Sequence, residues 1–189
     1  TYKNTSGEWV YPDDVKFENS KLIQISKELE VTEGPIESMS KSKKNVIDPQ
    51  SIITNYGADS ARWFMLSDSP PERDINWSES GIQGSWKFCQ KIWTLVYQNK
   101  HIFKKKSQVS DYSGETKRFI GQIHEQLDVI TRSIEKFQMN VAVAKIYEMV
   151  NLISKFKCDQ EEKEEALRES LVILIRVIEP MIPHLAEEC

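Results

Sequence analysis

The sequence predicts a mainly α-helical fold, in which an antiparallel helical bundle follows a helix–turn–helix segment and a small β-rich element. Three observations support this fold class. Apolar residues recur at steps of three and four from about residue 81 to the end of the chain. Helix start and stop signals frame a short helix near residues 48–57. Short aromatic and β-branched runs lie between turn residues near the beginning.

The β-rich element is predicted for residues 1–36. Residues 8–11 form an aromatic and β-branched run, with Ser6-Gly7 before it and Pro12-Asp13 after it. A second apolar run lies at residues 21–25. The segment contains few apolar residues of its own, so we expect it to form little core.

The helix–turn–helix is predicted from its capping residues. Asp48 can accept a backbone N–H as the N-cap, and Pro49 suits the first helical position because no intrahelical donor is lost there. Gly57 tolerates the left-handed conformation that ends a helix. A second helix is expected from Ala58 to about Leu66, before a Pro-Pro pair that cannot continue it.

Four apolar stripes predict the long helices of the bundle. We interpret their aromatic and methionine residues as core, and not as the lining of a cofactor pocket, because a bundle must bury such a stripe. The sequence shows no repeat of roughly 20 to 50 residues, which argues against a solenoid. The stripes comprise Trp86, Cys89, Trp93 and Val96; Ile120, Ile123, Leu127, Ile130, Ile134 and Phe137; Ala142, Ile146, Met149, Ile153 and Phe156; and Leu167, Leu171, Leu174 and Ile178.

The composition indicates a folded cytoplasmic protein. Of its 189 residues, 39% are hydrophobic and 29% are charged. No apolar run approaches the roughly 18 residues of a membrane span, and no secretory signal is visible. The net charge of −4 argues against a uniformly basic coat for nucleic acid, although lysines cluster locally. The first residue, Thr1, suggests a fragment or a processed chain.

The cysteines and histidines predict neither a disulfide framework nor a metal site. The cysteines are far apart and form no CxxC pair, and the histidines are scattered. We therefore expect free thiols and no bound metal in this chain. The residues are Cys89, Cys158 and Cys189, and His101, His124 and His184.

A polar loop at residues 37–45 contains the candidate chemistry. It reads Glu-Ser-Met-Ser-Lys-Ser-Lys-Lys-Asn and ends just before the helix that Asp48 opens. Lysines, hydroxyls and backbone N–H groups are suited to holding polyphosphate. The GxxxxGK[ST] pattern of the P-loop is absent from the sequence. Taken alone, such a serine–lysine run is more often a solvated surface loop.

The residues around this loop resemble the second signature of the class I aminoacyl-tRNA synthetases, the KMSKS loop with the helix–turn–helix behind it. The resemblance lies in Met39-Ser40-Lys41-Ser42, Asn45, Asp48-Pro49, Tyr56-Gly57-Ala58-Asp59 and Arg62. A further stretch is similar to the leucyl branch of the family. It comprises Trp63-Phe64-Met65-Leu66, Ser69-Pro70-Pro71-Glu72-Arg73, Trp77, Glu79-Ser80-Gly81 and Gly84.

The resemblance implies an organisation and an activity. Residues 81–189 would form a bundle of the class I anticodon-binding type, residues 37–80 the end of the catalytic domain, and residues 1–36 an insertion-like element. An enzyme of this branch activates leucine with ATP, accompanied by Mg²⁺, and transfers it to tRNA(Leu); we expect a monomer. The first signature motif, the amino-acid pocket and the editing domain of the family are not recognisable. The chain alone is therefore predicted to be inactive.

The resemblance also implies the site residues. Ser38, Met39, Ser40, Lys41 and Ser42 would form the ATP-binding loop, and Lys41 would be the catalytic ligand of the phosphates. Its charge could stabilise the negative charge that builds on the departing pyrophosphate. The family motif begins with lysine where this chain has serine, so position 38 receives no separate role. The candidates for contacts with tRNA phosphates are Lys87, Lys91, Lys104, Lys105 and Lys106.

Two other interpretations remain open at this point. The chain could be a separate RNA-binding helical module that retains the signature as a relic, or a purely structural bundle with a basic loop. The order of the signature residues argues against the structural bundle, and the reading frame upstream of Thr1 would separate the other two. Asp59 and Arg62, three residues apart on a helix, are interpreted as a local ion pair in preference to a substrate contact.

Overall fold

The computed structural model describes residues 1–104, 111–157 and 160–189. These residues divide into two compact units, Thr1–Ile52 and Ile53–Cys189. The first unit contains a small antiparallel sheet and the second contains a helical bundle. The predicted mainly α fold with a small β-rich element is therefore confirmed. The finer division at residues 36 and 80 remains a prediction.

The sheet of the first unit has five short strands with antiparallel pairing. The strands are β1 (Tyr2–Asn4), β2 (Trp9–Val10), β3 (Val15–Glu18), β4 (Lys21–Gln24) and β5 (Glu30–Glu33). Their order across the sheet is β2-β1-β5-β4-β3. Asn19 and Ser20 connect β3 to β4 with φ angles of 49° and 64°. Positive φ at both positions suits a two-residue hairpin, whose twist then matches that of the strands.

Polar side chains fill much of the interior of this unit. Asn4 Nδ2 donates to Gln24 Oε1 at 2.9 Å, and both residues are buried. Gln24 Nε2 in turn donates to Asp14 Oδ2 at 2.8 Å. Hydrogen bonds from the Ser26 hydroxyl and from Gln24 hold the pKa of Asp14 below its ordinary value. In the strands, all of which lie within the described residues, the buried apolar side chains are those of Val10 and Val31.

The predicted helix–turn–helix is present as α1 (Pro49–Tyr56) and α2 (Ala58–Ser67). Asp48 Oδ1 accepts the backbone N–H of Gln50 at 3.1 Å at the start of α1. Gly57 separates the helices with a φ of 83°, a conformation that favours glycine. Asp48 therefore caps α1 as predicted, whereas Gly57 ends it with a ψ of 155°, which differs from the expected left-handed helical conformation.

The bundle consists of α3 (Glu79–Gln98), α4 (Gly114–Glu135), α5 (Met139–Lys155), α6 (Glu161–Ile178) and the short α7 (Pro183–Glu188). Helices α4, α5 and α6 pack on one another, and α2 packs on α3 and α5. The stripes predicted for α5 and α6 form the centre of the core. Ala142, Ile146, Met149 and Ile153 are buried in α5, and so are Leu167, Leu171, Leu174 and Ile178 in α6.

The stripe predicted for α3 is partly wrong. Trp86 and Trp93 are 37% and 39% exposed, and Trp93 stacks on the exposed ring of Tyr97. Two neighbouring faces of α3 are apolar, and the three-and-four spacing fits both of them. The buried face is the one that packs into the core of the bundle. It comprises Ile82, Ser85, Phe88, Ile92 and Val96.

The prediction for the end of the α4 stripe is also wrong. Phe137 is 70% exposed and has a φ of 57°, because α4 ends at Glu135 and the chain turns into α5. The earlier positions of this stripe are buried as predicted, at Ile120, Ile123 and Ile130.

Across the described parts of the chain, no helix combines the length and the apolar character that crossing a membrane requires.

Candidate functional site

The side-chain amide of Asn45 holds the loop at residues 37–45. Its Oδ1 accepts the backbone N–H of Ser40 at 2.7 Å. Its Nδ2 donates to the carbonyl oxygens of Ser38 at 3.2 Å and Glu37 at 3.4 Å. One short side chain therefore joins the two ends of the loop. This clamp was not predicted, although asparagine is a residue that often bonds to nearby backbone groups.

The segment inside this clamp forms a tight bend. The backbone N–H of Lys43 donates to the carbonyl of Ser40, and that of Lys44 donates to the carbonyl of Lys41, both at 3.2 Å. The hydroxyl oxygens of Ser40 and Ser42 lie 2.8 Å apart. The structure thus places the predicted ATP-binding residues, 38–42, together on one bend, where all except the half-buried Ser40 are exposed.

The three lysines of the loop have different surroundings. Lys43 forms an ion pair with Glu37. The Lys44 ammonium lies over the ring of Tyr11, 5.5 Å from its centroid. Lys41 is exposed and forms neither an ion pair nor a hydrogen bond through its ammonium with any described residue. Of the three, Lys41 is therefore the ammonium group most available to an anionic ligand.

Arg62 has a structural role in the second unit. Its Nε donates to the carbonyl of Met181 at 2.8 Å, and its Nη2 donates to the carbonyl of Pro180 at 2.9 Å. These carbonyls lie just beyond the C-terminal end of α6, where backbone acceptors have no intrahelical partner. Arg62 therefore ties α2 to the connection between α6 and α7.

Asp59 binds the other side of the same connection. Its Oδ2 accepts the backbone N–H of Leu185 at 2.7 Å, in the first turn of α7. Its Oδ1 lies 2.8 Å from Nδ1 of His184. The carboxylate thus caps a helix that has no side-chain cap of its own. The predicted local ion pair of Asp59 with Arg62 is wrong, because both side chains are engaged by partners more than one hundred residues away.

Trp63, which follows Arg62 on α2, belongs to an aromatic cluster. Trp63 is fully buried, stacks on Phe88 with 5.0 Å between ring centroids, and donates its indole N–H to Tyr147 Oη at 3.0 Å. Burial raises the pKa of Tyr147 and raises that of the Cys89 thiol to about 11. Both groups stay protonated at neutral pH, so Cys89 is poorly suited to act as a nucleophile.

The candidate tRNA-binding lysines lie on the surface where they can be described. Lys87 and Lys91 are exposed one helical turn apart on α3, and Lys104 is exposed after it. Lys91 donates to Asn151 Oδ1 at 2.7 Å, which draws its ammonium towards α5. Lys105 and Lys106 lie outside the described residues. Within the described ranges, His, Cys, Asp and Glu form no group of three or more that could hold a metal ion.

Two family models match this chain. Residues 31–78 match the family described as tRNA synthetases class I (I, L, M and V). Residues 116–189 match the family described as anticodon-binding domain of tRNA ligase. The first match contains the loop and helices α1 and α2, and the second contains most of the bundle.

The relatives named leucine–tRNA ligase resemble the chain over its whole length. It is 42% identical to the ligase of Afipia carboxidovorans over 200 aligned residues and 40% identical to that of Parvibaculum lavamentivorans over 195. In both cases the alignment covers 100% of this chain and 22% of the relative. The chain thus spans about a fifth of the length of these enzymes.

Solved structures show the same likeness. A LeuRS from Agrobacterium radiobacter, crystallised as a ternary complex with tRNA and LeuAMS, matches with a TM-score of 0.69 and 28% identity. That match covers 79% of this chain and 20% of the other. A methionyl-tRNA synthetase from Mycobacterium tuberculosis matches with a TM-score of 0.59 at 16% identity, covering 75% of this chain and 34% of the other. The second likeness concerns the fold alone.

Proposed function

We propose that this chain, which belongs to the leucine–tRNA ligases of class I, serves as the part of such an enzyme that contacts ATP phosphates and tRNA. The observation that carries the proposal is the 40–42% identity to leucine–tRNA ligases along the entire chain. Because the chain spans only about a fifth of those enzymes, catalysis would require the remaining parts. Leucine, ATP accompanied by Mg²⁺, and tRNA(Leu) are the proposed substrates of the whole enzyme.

In the proposed reaction, Lys41 acts during activation of the amino acid. A carboxylate oxygen of leucine attacks the α-phosphorus of ATP, and the bond to the departing pyrophosphate breaks. Negative charge builds on the leaving oxygens, and an ammonium that meets this charge lowers the barrier. The exposed position of Lys41 and the lack of a described partner for its ammonium support this role. No side chain is required as a nucleophile.

The other loop residues would position Lys41. The Asn45 clamp and the Lys43–Glu37 ion pair hold the bend from both sides. The hydroxyls of Ser40 and Ser42 and the backbone of the bend could donate to phosphate oxygens. Ser38 stands where the family motif has lysine, so this loop would offer one fewer cation to the phosphates.

The bundle would bind tRNA through its phosphates. The match to an anticodon-binding domain over residues 116–189 supports this assignment. Lys87 and Lys104 expose ammonium groups that can contact phosphates without reading the base sequence. With a net charge of −4, the chain would attract RNA through such local patches only, so binding by the chain alone should be weak and strongly salt-dependent.

A chimeric enzyme tests the proposal. The chain would replace the matching segment of the Afipia carboxidovorans ligase, and pyrophosphate exchange would be measured with leucine, isoleucine, valine and methionine. We expect exchange by the chimera that prefers leucine, and none above background by the isolated chain. A correctly folded chimera without exchange would contradict the assignment, whereas the preference for leucine is supplied by the Afipia carboxidovorans part and serves as the control that this part is intact. Exchange by the isolated chain would contradict its proposed role as one part of the enzyme.

A further inference from the structure

A cavity of about 530 Å³ lies at one end of the bundle, and its described lining does not include the lysines on α3 considered above. It is lined by the first turns of α4, by the end of α5 and the residues after it, and by the beginning of α6. Its volume is within the range of roughly 300–1,000 Å³ that is typical of small-ligand sites. The cavity is therefore large enough for a nucleotide unit.

The lining of the cavity is strongly cationic. Among the described residues that line it, Glu115 supplies one carboxylate, and the cations are Arg118, Lys155, Lys157 and Lys163. Lys163 is the most buried of these cations, with 17% of its side chain exposed, and its ammonium lies 3.7 Å from the Glu115 carboxylate. Among the described residues, the other three cations form no ion pair. Such a local excess of positive charge attracts an anion even though the whole chain is acidic.

Two aromatic rings complete the lining. Phe119 and Phe156 lie nearly parallel, at 5°, with 3.7 Å between their centroids. Phe119 is 4% exposed and belongs to the core, whereas Phe156 is half-buried and continues the stack towards the surface. A flat aromatic surface beside cations is the combination that binds the base and the phosphate of a nucleotide in unpaired nucleic acid.

We propose that this cavity binds a nucleoside phosphate unit of an RNA strand, with the phosphate among Arg118, Lys155 and Lys163 and the base against Phe156. The inference rests on the proposed function, because it assumes that the bundle meets RNA. An acidic peptide would satisfy the cations but would leave the aromatic stack without a matching group. The phosphate would compete with Glu115 for Lys163, so this carboxylate should weaken binding.

Charge-matched double variants test the phosphate site in the full 189-residue chain. Arg118→Gln with Lys155→Gln removes two cations from the cavity. Lys136→Gln with Arg176→Gln removes one lysine and one arginine from exposed positions outside it. Binding of a labelled tRNA(Leu) transcript would be followed by fluorescence anisotropy at several salt concentrations. Circular dichroism would establish that each variant remains folded.

We expect the cavity pair to lower tRNA affinity about tenfold at low salt and to reduce the slope of log affinity against log salt by about 1.5. The control pair should change affinity by about twofold or less. Phe156→Leu should lower affinity about fivefold without changing the slope, because stacking releases no counterions. Glu115→Gln should raise affinity by about twofold.

The outcomes separate this inference from the proposed function. If tRNA binds and both double variants weaken it equally, the cavity is not a site, while tRNA binding by the bundle stands. If the unmodified chain does not bind tRNA at all, both fail. If AMP binds in a manner that requires Arg118 and Lys155 but tRNA does not bind, the ligand is a free nucleotide and the RNA assignment is overturned. Displacement of tRNA by polyglutamate, with no effect of Phe156→Leu, would instead identify an acidic peptide and overturn it.

Discussion

The two units of this protein are stabilised by different interactions. In the sheet unit, two buried valines in the strands accompany a polar network that joins Asn4, Gln24 and Asp14. In the bundle, large apolar side chains are completely buried, among them Ile123, Ile130, Ile146, Leu171 and Leu174. The candidate ATP-binding loop belongs to the first unit and lies on its surface. Substitutions in the loop should therefore change function with little effect on stability, whereas core substitutions in the bundle should do the reverse.

The largest effect on stability is expected in the bundle core. Leu171→Ala should lower the free energy of unfolding of the bundle by about 3 kcal/mol, because it removes fully buried methyl groups and leaves a cavity. Lys41→Ala, in the exposed loop, should change it by less than about 0.5 kcal/mol. Urea unfolding followed by circular dichroism at 222 nm would measure both. Similar losses in the two variants would contradict the proposed division between stability and function.

A smaller effect is expected where a long-range polar contact joins the helices. Asp59→Ala should destabilise the bundle by about 1–2 kcal/mol, because the backbone N–H of Leu185 loses its acceptor at the start of α7. Asp74→Ala serves as the control, since this exposed carboxylate forms no ion pair or hydrogen bond within the described residues. Equal stability of the two variants in urea would show that the cap contributes nothing.

The smallest effect is a pH dependence of the sheet unit. The pKa of Asp14 is lowered in the fold, so its charged form stabilises the fold at neutral pH, and this contribution is lost as the pH falls below about 4. Asp14→Asn should therefore weaken the sheet at pH 7 and make it less sensitive to acid. Asp13→Asn, at the exposed neighbouring position, should leave both properties unchanged. NMR amide signals of β3 and β4 in urea titrations at pH 7 and pH 3 would test this, and equal acid sensitivity of both variants would rule it out.

The local signals in the sequence predicted much of the fold. Asp48, Pro49 and Gly57 act through neighbouring backbone, so their effect on α1 could be deduced from a few adjacent residues. The three-and-four spacing of the α5 and α6 stripes placed Ala142 to Ile153 and Leu167 to Ile178 on the sides that are buried in the structure. In α3 two apolar faces adjoin each other, and spacing alone could not decide between them.

Contacts between distant parts of the chain could not be predicted in this way. The partners of Asp59 and Arg62 lie 118 to 126 residues away, so the spacing between these two residues suggested an incorrect local pair. The cavity at the end of the bundle is lined by residues from three helices, and its cations come from two distant stretches of the sequence, Arg118 and residues 155–163. In the candidate loop, the resemblance predicted the residues together, but the different surroundings of its three lysines emerged only from the structure.

Lys41 is proposed to supply the charge needed as pyrophosphate departs. The most direct test is pre-steady-state adenylate formation in the chimeric enzyme with Lys41→Ala, Ser38→Ala and Ser38→Lys. We expect Lys41→Ala to slow this step roughly 30- to 1,000-fold, equivalent to about 2–4 kcal/mol of barrier, while leucine binding changes little. Ser38→Ala should have a far smaller effect, because a neutral hydroxyl cannot supply the charge, and Ser38→Lys should be neutral or mildly activating. If Ser38→Ala slowed adenylate formation as much as Lys41→Ala, the assignment of the charge to Lys41 would be contradicted.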